Sequence, residues 1–489
     1  MKNTYKFNFL LSGIVLGLLI LTLIFFQFFH SFWQVLLGVL ALPLLFVIIK
    51  NPFWGLCLMI ALLPLEEATY IGSGWGVPKL VGFLTFGAFL LNLLIYKRRI
   101  FWAKQFSILF AFIFFLSISP LWAFYKGGFQ LDTIKNLLMM GAFCLLIPQL
   151  TDSPKKLKTI LLLYILGAFI AASAGLYHLF TNPEAYRISV VMSQEIPYLG
   201  SNSAHYSYFL GNAISPLVAL LFAPLKRKWF KVFLVILILW VLSAALASGT
   251  RSFLFAFLSA LLFIFIYLTL ISRKYKLTLL IYPLALVGIF FIALNFLPEK
   301  TRARYTEESF REGAFGYRGG RLHYWKMGLI EFIEHPILGM GLGNSYLEAS
   351  SAYNIALYKY GTFLGGRLST WNPLEASMPL FIRDIHNIYI ELLAEGGIVG
   401  FMIFIWLIYS LLSVLFKNLR RVYENPEMFQ LGLAIASMFV FVLAGGLSEP
   451  ALNRKYFWLV PGLIMAFARI INQPHKKAKE FNGDQALLH

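Results

Sequence analysis

His386 lies where a long polar segment of the chain meets an apolar stretch that begins at Ile388. An imidazole ring titrates near neutral pH, so a neutral histidine in this place can accept a proton as a general base. We interpret Asp384 as the N-cap of the following helix, with Asn387 in its first turn. The positive end of that helix would lower the pKa of His386 and keep the ring neutral. Alternatively, a single histidine at a helix start is only a polar residue at a membrane interface.

Arginine residues supply a second kind of chemistry. Guanidinium groups stay charged and bind phosphate oxygens in pairs, so a converging set can stabilise a diphosphate leaving group without a metal ion. Arg251 is the strongest candidate, because it begins an apolar span directly after the tight turn 248–250, where a charge is costly to place. The loop arginines could equally contact lipid headgroups or solvent; they include Arg187, Arg318 and Arg321.

The acidic residues argue against a metal site near His386. The chain has only four aspartates, and none of them forms an Asp-x-Asp pair or a carboxylate cluster there. Glu66 and Glu67 are the one acidic pair that leaves a metal site open. Cys57 and Cys144 both fall inside apolar stretches and indicate neither a disulfide framework nor a metal site. We therefore expect neither a metal ion nor a cofactor.

The elements that must position these residues are membrane-spanning helices. Hydrophobic residues make up 59% of the 489 residues and charged residues only 13%, about half the charged fraction of a soluble chain. Apolar runs long enough to cross a bilayer recur along the chain, and we count about fourteen of them. The predicted fold is all-α: a polytopic membrane helix bundle with one large extracytoplasmic loop.

Lys and Arg residues set the orientation of this bundle. Most of the 41 lie in loops on one side, which predicts that both termini are cytoplasmic and that the large loop is outside. The net charge of +19 reflects this bias and does not indicate a nucleic-acid-binding surface. We divide the chain into N-terminal helices over 1–180, central helices over 181–297 with an outer loop at 181–204, the large loop at 298–385, C-terminal helices over 386–472 and a cytoplasmic tail at 473–489.

Within the large loop, apolar residues recur at helical spacing between positions 321 and 334. This pattern predicts an amphipathic helix that lies on the membrane surface or packs over the bundle. Pro336 and the glycines that follow it are expected to end the helix. The predicted apolar face consists of Leu322, Trp325, Leu329, Phe332 and Ile333.

Several motifs, taken in order, resemble the O-antigen ligase and O-antigen polymerase superfamily of bacterial membrane glycosyltransferases. His386-Asn387, nine residues, Gly397, two residues and Gly400 resemble the signature of that family. The turn with its arginine at 248–252, the Gly-Ser-Asn sequence at 200–202 and the stretch at 320–344 resemble its other motifs. The resemblance extends over roughly residues 180–472.

This resemblance implies a reaction and a set of roles. The family transfers a glycan from undecaprenyl diphosphate to an acceptor sugar, on lipid A–core or on another lipid-linked repeat unit, at the outer face of the cytoplasmic (inner) membrane. His386 and Arg251 are the implied catalytic residues, the first activating the acceptor hydroxyl and the second holding the diphosphate. The implied partners are the lipid-linked donor, a glycan or lipid-linked acceptor and membrane lipids. The candidate substrate-binding residues are Arg187, Asn202, Arg318, Arg321 and Trp325.

A membrane transporter of a small anion or a lipid-linked glycan is the alternative function. Transport would require ionisable groups near the middle of the membrane, and the nearest candidates are His178, Glu391 and Glu395. Charge is concentrated instead at the outer boundary, which favours chemistry at the interface. Ligase and polymerase are not separated by these residues, because both use the same donor.

Overall fold

Helices make up the described architecture. The computed structural model describes residues 43–69, 76–97, 99–123, 128–181, 203–221, 228–271, 321–344 and 385–473, with short stretches between 288 and 305. The helices are α1 (Pro52–Leu62), α2 (Val77–Tyr96), α3 (Lys104–Ile118), α4 (Gly128–Leu150), α5 (Pro154–Thr181), α6 (Ser203–Leu221), α7 (Lys228–Ala247), α8 (Arg251–Ile271), α9 (Glu299–Ala303), α10 (Arg321–Glu334), α11 (Ile388–Arg421), α12 (Pro426–Gly445) and α13 (Lys455–Asn472). Short 3₁₀ turns follow α1 (Leu63–Thr69) and α3 (Ser119–Leu121) and precede α13 (Ala451–Asn453).

The all-helical membrane fold is confirmed. Nine segments in the described part of the chain are long and apolar enough to cross a membrane. One of them, Pro52–Thr69, reaches its length because the 3₁₀ turn lengthens α1. The predicted total of about fourteen spans and the large outer loop stay predictions, since much of 1–42, 272–298 and 345–384 lies outside the described residues.

The centre of the bundle is formed by α6, α12 and α13. α6 packs against α12, and α13 packs against α4 and α12. Nearly every side chain of α6 and α13 is buried, and α6 buries the polar residues Ser207, Asn212 and Ser215. A helix that is buried on all sides can hold polar groups that a lipid-facing helix cannot. The middle of the protein is therefore where a polar site can be supported.

Ion pairs and hydrogen bonds group many of the basic residues at one end of this bundle. Lys158 at the start of α5 lies 2.5 Å from Glu427 at the start of α12, and Arg421 at the end of α11 donates to Asn472 at the end of α13. The opposite end contains the turn 63–69, the starts of α6, α8, α11 and α13, and the end of α12. We call it the site end, because His386 lies there.

Candidate functional site

His386 has a left-handed backbone, with φ at 55°. For a residue with a side chain this conformation costs about 1–2 kcal/mol, so surrounding contacts must hold it. One such contact follows directly: the N–H of Ile388 donates to the carbonyl oxygen of Gly446 at 2.8 Å. A second is the ring of Tyr324, which meets the imidazole edge to face with 6.0 Å between the ring centroids. Strain of this kind is concentrated at functional sites, which makes His386 a candidate on structural grounds.

Asn387 caps the helix that follows His386. Its side-chain oxygen accepts hydrogen bonds from the N–H groups of Tyr389 and Ile390 at 3.0 and 3.2 Å. The prediction that Asp384 is the N-cap, with Asn387 inside the first turn, is therefore wrong, since α11 begins at Ile388. His386 lies just outside α11, and the cap formed by Asn387 stabilises the start of this helix.

The family-like glycines mark a break in α11. Gly397 has φ 60° and ψ −166°, a conformation that is essentially restricted to glycine. The segment 336–341 lies against this break and satisfies the backbone groups that the break releases. Four hydrogen bonds join the two segments: Met340 N–H to Ala394 O at 2.8 Å, Gly341 N–H to Glu395 O at 2.9 Å, Ile398 N–H to Pro336 O at 2.8 Å and Val399 N–H to Ile337 O at 3.2 Å.

Helix α10 packs along the first half of α11. Gly328 allows the close approach, because a Cβ atom there would lie 2.7 Å from Ile390 and 2.8 Å from Ile385. This confirms the predicted helix and selects packing over the bundle. On the predicted apolar face, Leu329 and Ile333 are 41% and 50% exposed, whereas Trp325 and Phe332 are half-buried. In a membrane, exposed apolar side chains can face lipid, so the apolar side of α10 need not be its packed side.

Arg251 begins α8, as predicted, at the site end. The turn before it is closed by Ser248, whose hydroxyl donates to Thr250 Oγ1 at 3.0 Å and accepts from the Thr250 N–H at 3.2 Å. Two residues into α8, the ring of Phe253 meets Phe441 near the end of α12 at 6.1 Å. Because Gly446, just beyond α12, binds the first N–H of α11, the starts of α8 and α11 lie at the same end of the bundle.

The remaining predicted site residues are only partly described. Arg187, Asn202 and Arg318 lie outside the described residues. Arg321 is the first residue of α10, one turn before the tyrosine that meets His386. Trp325 is half-buried, and its indole N–H is buried with no hydrogen-bond acceptor among the residues that the structure describes.

The structure adds a buried histidine that sequence reasoning did not select. His205, in the first turn of α6, has Nδ1 3.8 Å from Glu67 Oε1 and Nε2 3.9 Å from Glu449 Oε2. The neighbouring Glu66 forms an ion pair with Lys455. From the sequence, the acidic pair 66–67 only left a metal site open. Within the described residues, no three His, Cys, Asp or Glu side chains are grouped so that they could hold a metal ion.

Burial lowers the pKa of His205 well below its ordinary value of 6.5, because charging a desolvated imidazole is costly. The positive charge of Arg454 and the nearby His386 lower this pKa further. His205 is therefore neutral at neutral pH. The effect of His386 on this pKa indicates that the two histidines lie near each other, although they are far apart in the sequence.

These features define a class: an all-helical, multi-pass membrane protein whose polar site is built at one end of the bundle around a strained histidine. Residues 236–405 match the family model described as O-antigen ligase. The match confirms the resemblance to the O-antigen ligase superfamily and supports a membrane glycosyltransferase of the ligase or polymerase type. The matched residues include Arg251, α8, α10, the segment 336–341 and His386. No curated protein matches the chain.

Proposed function

We propose that this protein transfers a glycan from undecaprenyl diphosphate to an acceptor sugar at the outer face of the inner membrane. The acceptor is carried on lipid A–core in a ligase or on another lipid-linked repeat in a polymerase. The site end then faces outward, in agreement with the grouping of many basic residues at the other end of the described bundle. Both termini are cytoplasmic in this orientation.

His386 is the proposed general base. It takes the proton of the acceptor hydroxyl as the oxygen attacks the anomeric carbon. The bond from that carbon to the diphosphate breaks, and the electron pair leaves with undecaprenyl diphosphate, so the anomeric centre inverts. The left-handed backbone fixes where the ring can point, which is the kind of preorganisation that proton transfer at a defined position requires.

Arginines are the proposed partners of the leaving diphosphate. Arg251 begins α8 directly after a hydrogen-bonded turn, so its backbone position is well determined. Arg321 opens the helix that packs beside His386, and Arg187 and Arg318 are proposed to join them. Guanidinium groups placed before the reaction stabilise the charge that develops on the phosphate oxygens. In this mechanism the arginines supply the counter-charge that a metal ion would supply elsewhere.

The observation that carries the proposal is the strained backbone of His386 within the matched segment. Its conformation is costly, and the structure supports it by a helix cap, a hydrogen bond from Ile388 and an aromatic contact. Strain of this kind clusters at functional sites, where the surrounding structure holds it.

The transporter alternative rests on Glu391 and Glu395, which are buried in α11. Transporters use broken helices whose free backbone groups bind ions or substrate. Here the carbonyls and N–H groups at the break are instead bonded to the segment 336–341. The break is thus part of the packing of α11, and the glycosyltransferase function is favoured.

The test is complementation of a deletion strain, with the surface glycan resolved on a gel. His386→Asn tolerates the left-handed backbone but cannot act as a base at neutral pH, and Arg251→Lys keeps the charge but loses the paired hydrogen bonds. Both are expected to abolish or strongly reduce the glycan ladder. Loss of a ligase leaves long lipid-linked chains and bare core, whereas loss of a polymerase leaves at most single repeat units on the acceptor.

His178→Asn is the matched control, because His178 is a half-exposed histidine near the end of α5. It is expected to complement fully. A normal ladder from His386→Asn, with protein levels equal to those of the control, would defeat the proposed role of His386 as the base.

A further inference from the structure

A buried polar cluster occupies the site end beside His386. His205 and Glu449 are only 8% and 2% exposed, and Glu67 approaches the imidazole from the opposite side. They come from three separate elements: the start of α6, the loop between α12 and α13, and the turn after α1. Burying such groups is expensive unless they are held together, so the cluster needs a reason beyond filling space.

The loop between α12 and α13, residues 446–454, connects this cluster to His386. The Gly446 carbonyl at the start of the loop accepts the N–H of Ile388, two residues after His386. The next contact along the loop is Ser448, whose hydroxyl lies 3.2 Å from that of Tyr208 on α6. Glu449 follows, and its Oε2 lies 3.9 Å from Nε2 of His205. The same short loop therefore touches the candidate base through its backbone and the buried histidine through its side chain.

The charges around the cluster are balanced. Glu66 pairs with Lys455, and Arg454 is close enough to His205 to affect its titration. With His205 neutral, Lys455 and Arg454 offset two of the three carboxylates of Glu66, Glu67 and Glu449. Lys79 provides a further positive charge that interacts electrostatically with both Glu66 and Lys455. A set in this balance can persist in a buried place, because each charge has a counter-charge.

We propose that Glu449 and His205 are positioning residues for His386. They hold the loop 446–454 against α6, so that the Gly446 carbonyl fixes the first peptide of α11 and with it the left-handed backbone and ring direction of His386. This inference rests on the proposed function for its kinetic consequence. Both residues lie outside 236–405, so the family match does not assign them a role.

The burial of His205 argues that it positions His386 and does not itself take part in catalysis. His205 is too enclosed to reach an acceptor sugar, whereas His386 is only half-buried. The effect of His205 must therefore pass through other groups. At metal sites, replacing the groups that orient a ligating histidine typically changes activity by about 10–100-fold, and we expect an effect of similar size here.

The experiment compares Glu449→Gln and His205→Gln with Tyr206→Phe in the purified full-length protein. Tyr206 neighbours His205, but its hydroxyl donates to Ala171 on α5 and not towards the loop, so Tyr206→Phe removes a buried hydrogen bond without touching the cluster. The probe is the lipid-linked glycan extracted from the deletion strain's own membranes. We expect kcat to fall about tenfold or more in the two Gln variants, with KM for the donor nearly unchanged and with kcat near wild type in Tyr206→Phe.

Two further measurements test the route of the effect. In a His386→Asn background, Glu449→Gln should cause no additional loss, because residues that act as a unit are not additive. Independently of any transfer, the rate at which diethyl pyrocarbonate modifies His386, followed by mass spectrometry, should change in Glu449→Gln and stay at the wild-type rate in Tyr206→Phe.

Equal kcat values and equal modification rates in Glu449→Gln and Tyr206→Phe would overturn the positioning role. The same conclusion would follow if Glu449→Gln reduced the residual activity of His386→Asn by its full factor. If the wild-type protein transfers no glycan, the proposed function fails instead, and the modification rate alone still decides whether the cluster positions His386.

Discussion

Gly339 and Gly397 face each other backbone to backbone. A Cβ atom on Gly397 would lie 2.6 Å from the nitrogen of Gly339, and a Cβ atom on Gly339 would lie 2.5 Å from the nitrogen of Gly397. Both residues have positive φ, 71° and 60°. The docking of the loop segment 336–341 onto the break in α11 therefore depends on two glycines that are 58 residues apart, and it links α10 to the helix that follows His386.

Replacing Gly397 with alanine should destabilise the protein severely. The backbone conformation costs a residue with a side chain about 1–3 kcal/mol, and the added methyl group overlaps fixed backbone, which costs about 1–3 kcal/mol more. We expect a large fall in the apparent melting temperature in detergent. Gly87→Ala on α2 is the control, since a Cβ atom there meets nothing within 4 Å, and it should keep or raise stability by about 0.5–1 kcal/mol. Equal melting temperatures for the two variants would contradict the docking.

Substitutions of His386 should affect stability and transfer activity differently. His386→Gly removes the strain of the left-handed backbone and should fold as well as wild type, whereas His386→Val places a β-branched residue there and should lose about 1–2 kcal/mol. Both should lack transfer activity. The comparison is made by thermal unfolding in detergent and by the glycan ladder. A valine variant as stable as the glycine variant would show that the backbone at 386 is not constrained.

Removing the cap of α11 should have a moderate effect. Asn387→Ala loses both hydrogen bonds to the helix start and should cost about 1 kcal/mol. Asn387→Asp keeps an acceptor in the same place and should recover most of the stability. Because the cap lies next to His386, the alanine variant should also lose activity beyond its loss of stability. Activity per folded protein, measured after gel filtration, checks this expectation.

Stability should depend on pH through His205. Burial, Arg454 and His386 hold the pKa of His205 below 6.5 in the folded protein, while the unfolded chain takes up the proton near 6.5. The unfolded state therefore binds more protons below that pH, and stability falls as the pH decreases. The slope from one histidine is at most about 1.4 kcal/mol per pH unit. Glu67 and Glu449 face the ring and limit the size of the effect.

Thermal unfolding at pH 7.5 and at pH 5.5 measures this dependence. Wild type should lose more stability over the interval than His205→Gln, and the control His178→Gln should behave as wild type because His178 is half-exposed. A His205→Gln variant with the wild-type pH dependence would show that the folded protein does not lower the pKa of His205.

Helical period and hydrophobicity are local properties, and they predicted much of the fold. The helices Lys104–Ile118, Gly128–Leu150 and Pro154–Thr181 fall on apolar runs of the sequence. The helix at 321–334 and the start of a helix after His386 were also predicted from residues close together in the chain. The N-cap was misplaced by three residues, because Asp384 and Asn387 are both good cap residues and only the backbone and hydrogen bonds of Asn387 show that it is the cap. The sequence did not predict which side of α10 packs against the bundle, because lipid, like a protein core, accepts apolar side chains.

The sequence predicted only those parts of the candidate site that depend on the type and place of a single residue. His386 and Arg251 were selected from residue type and from their place beside apolar spans, and the structure describes both at the same end of the bundle. Nothing in the local sequence connects His205 to Glu449, which are 244 positions apart. Their meeting requires α6 and the loop after α12 to be packed together first.

The amino-acid order alone determined that this chain forms membrane helices, where one histidine and one arginine border those helices, and that α10 ends before Pro336 and the glycines that follow it. Tertiary packing decided that Gly339 fits into the break at Gly397, that His386 is held in a left-handed backbone and that a neutral His205 lies behind it. The physical reason is the distance along the chain over which each effect acts. Hydrophobic pattern and helix capping depend on residues a few positions apart, whereas backbone contacts, burial and the balance of buried charges exist only after distant helices have packed together.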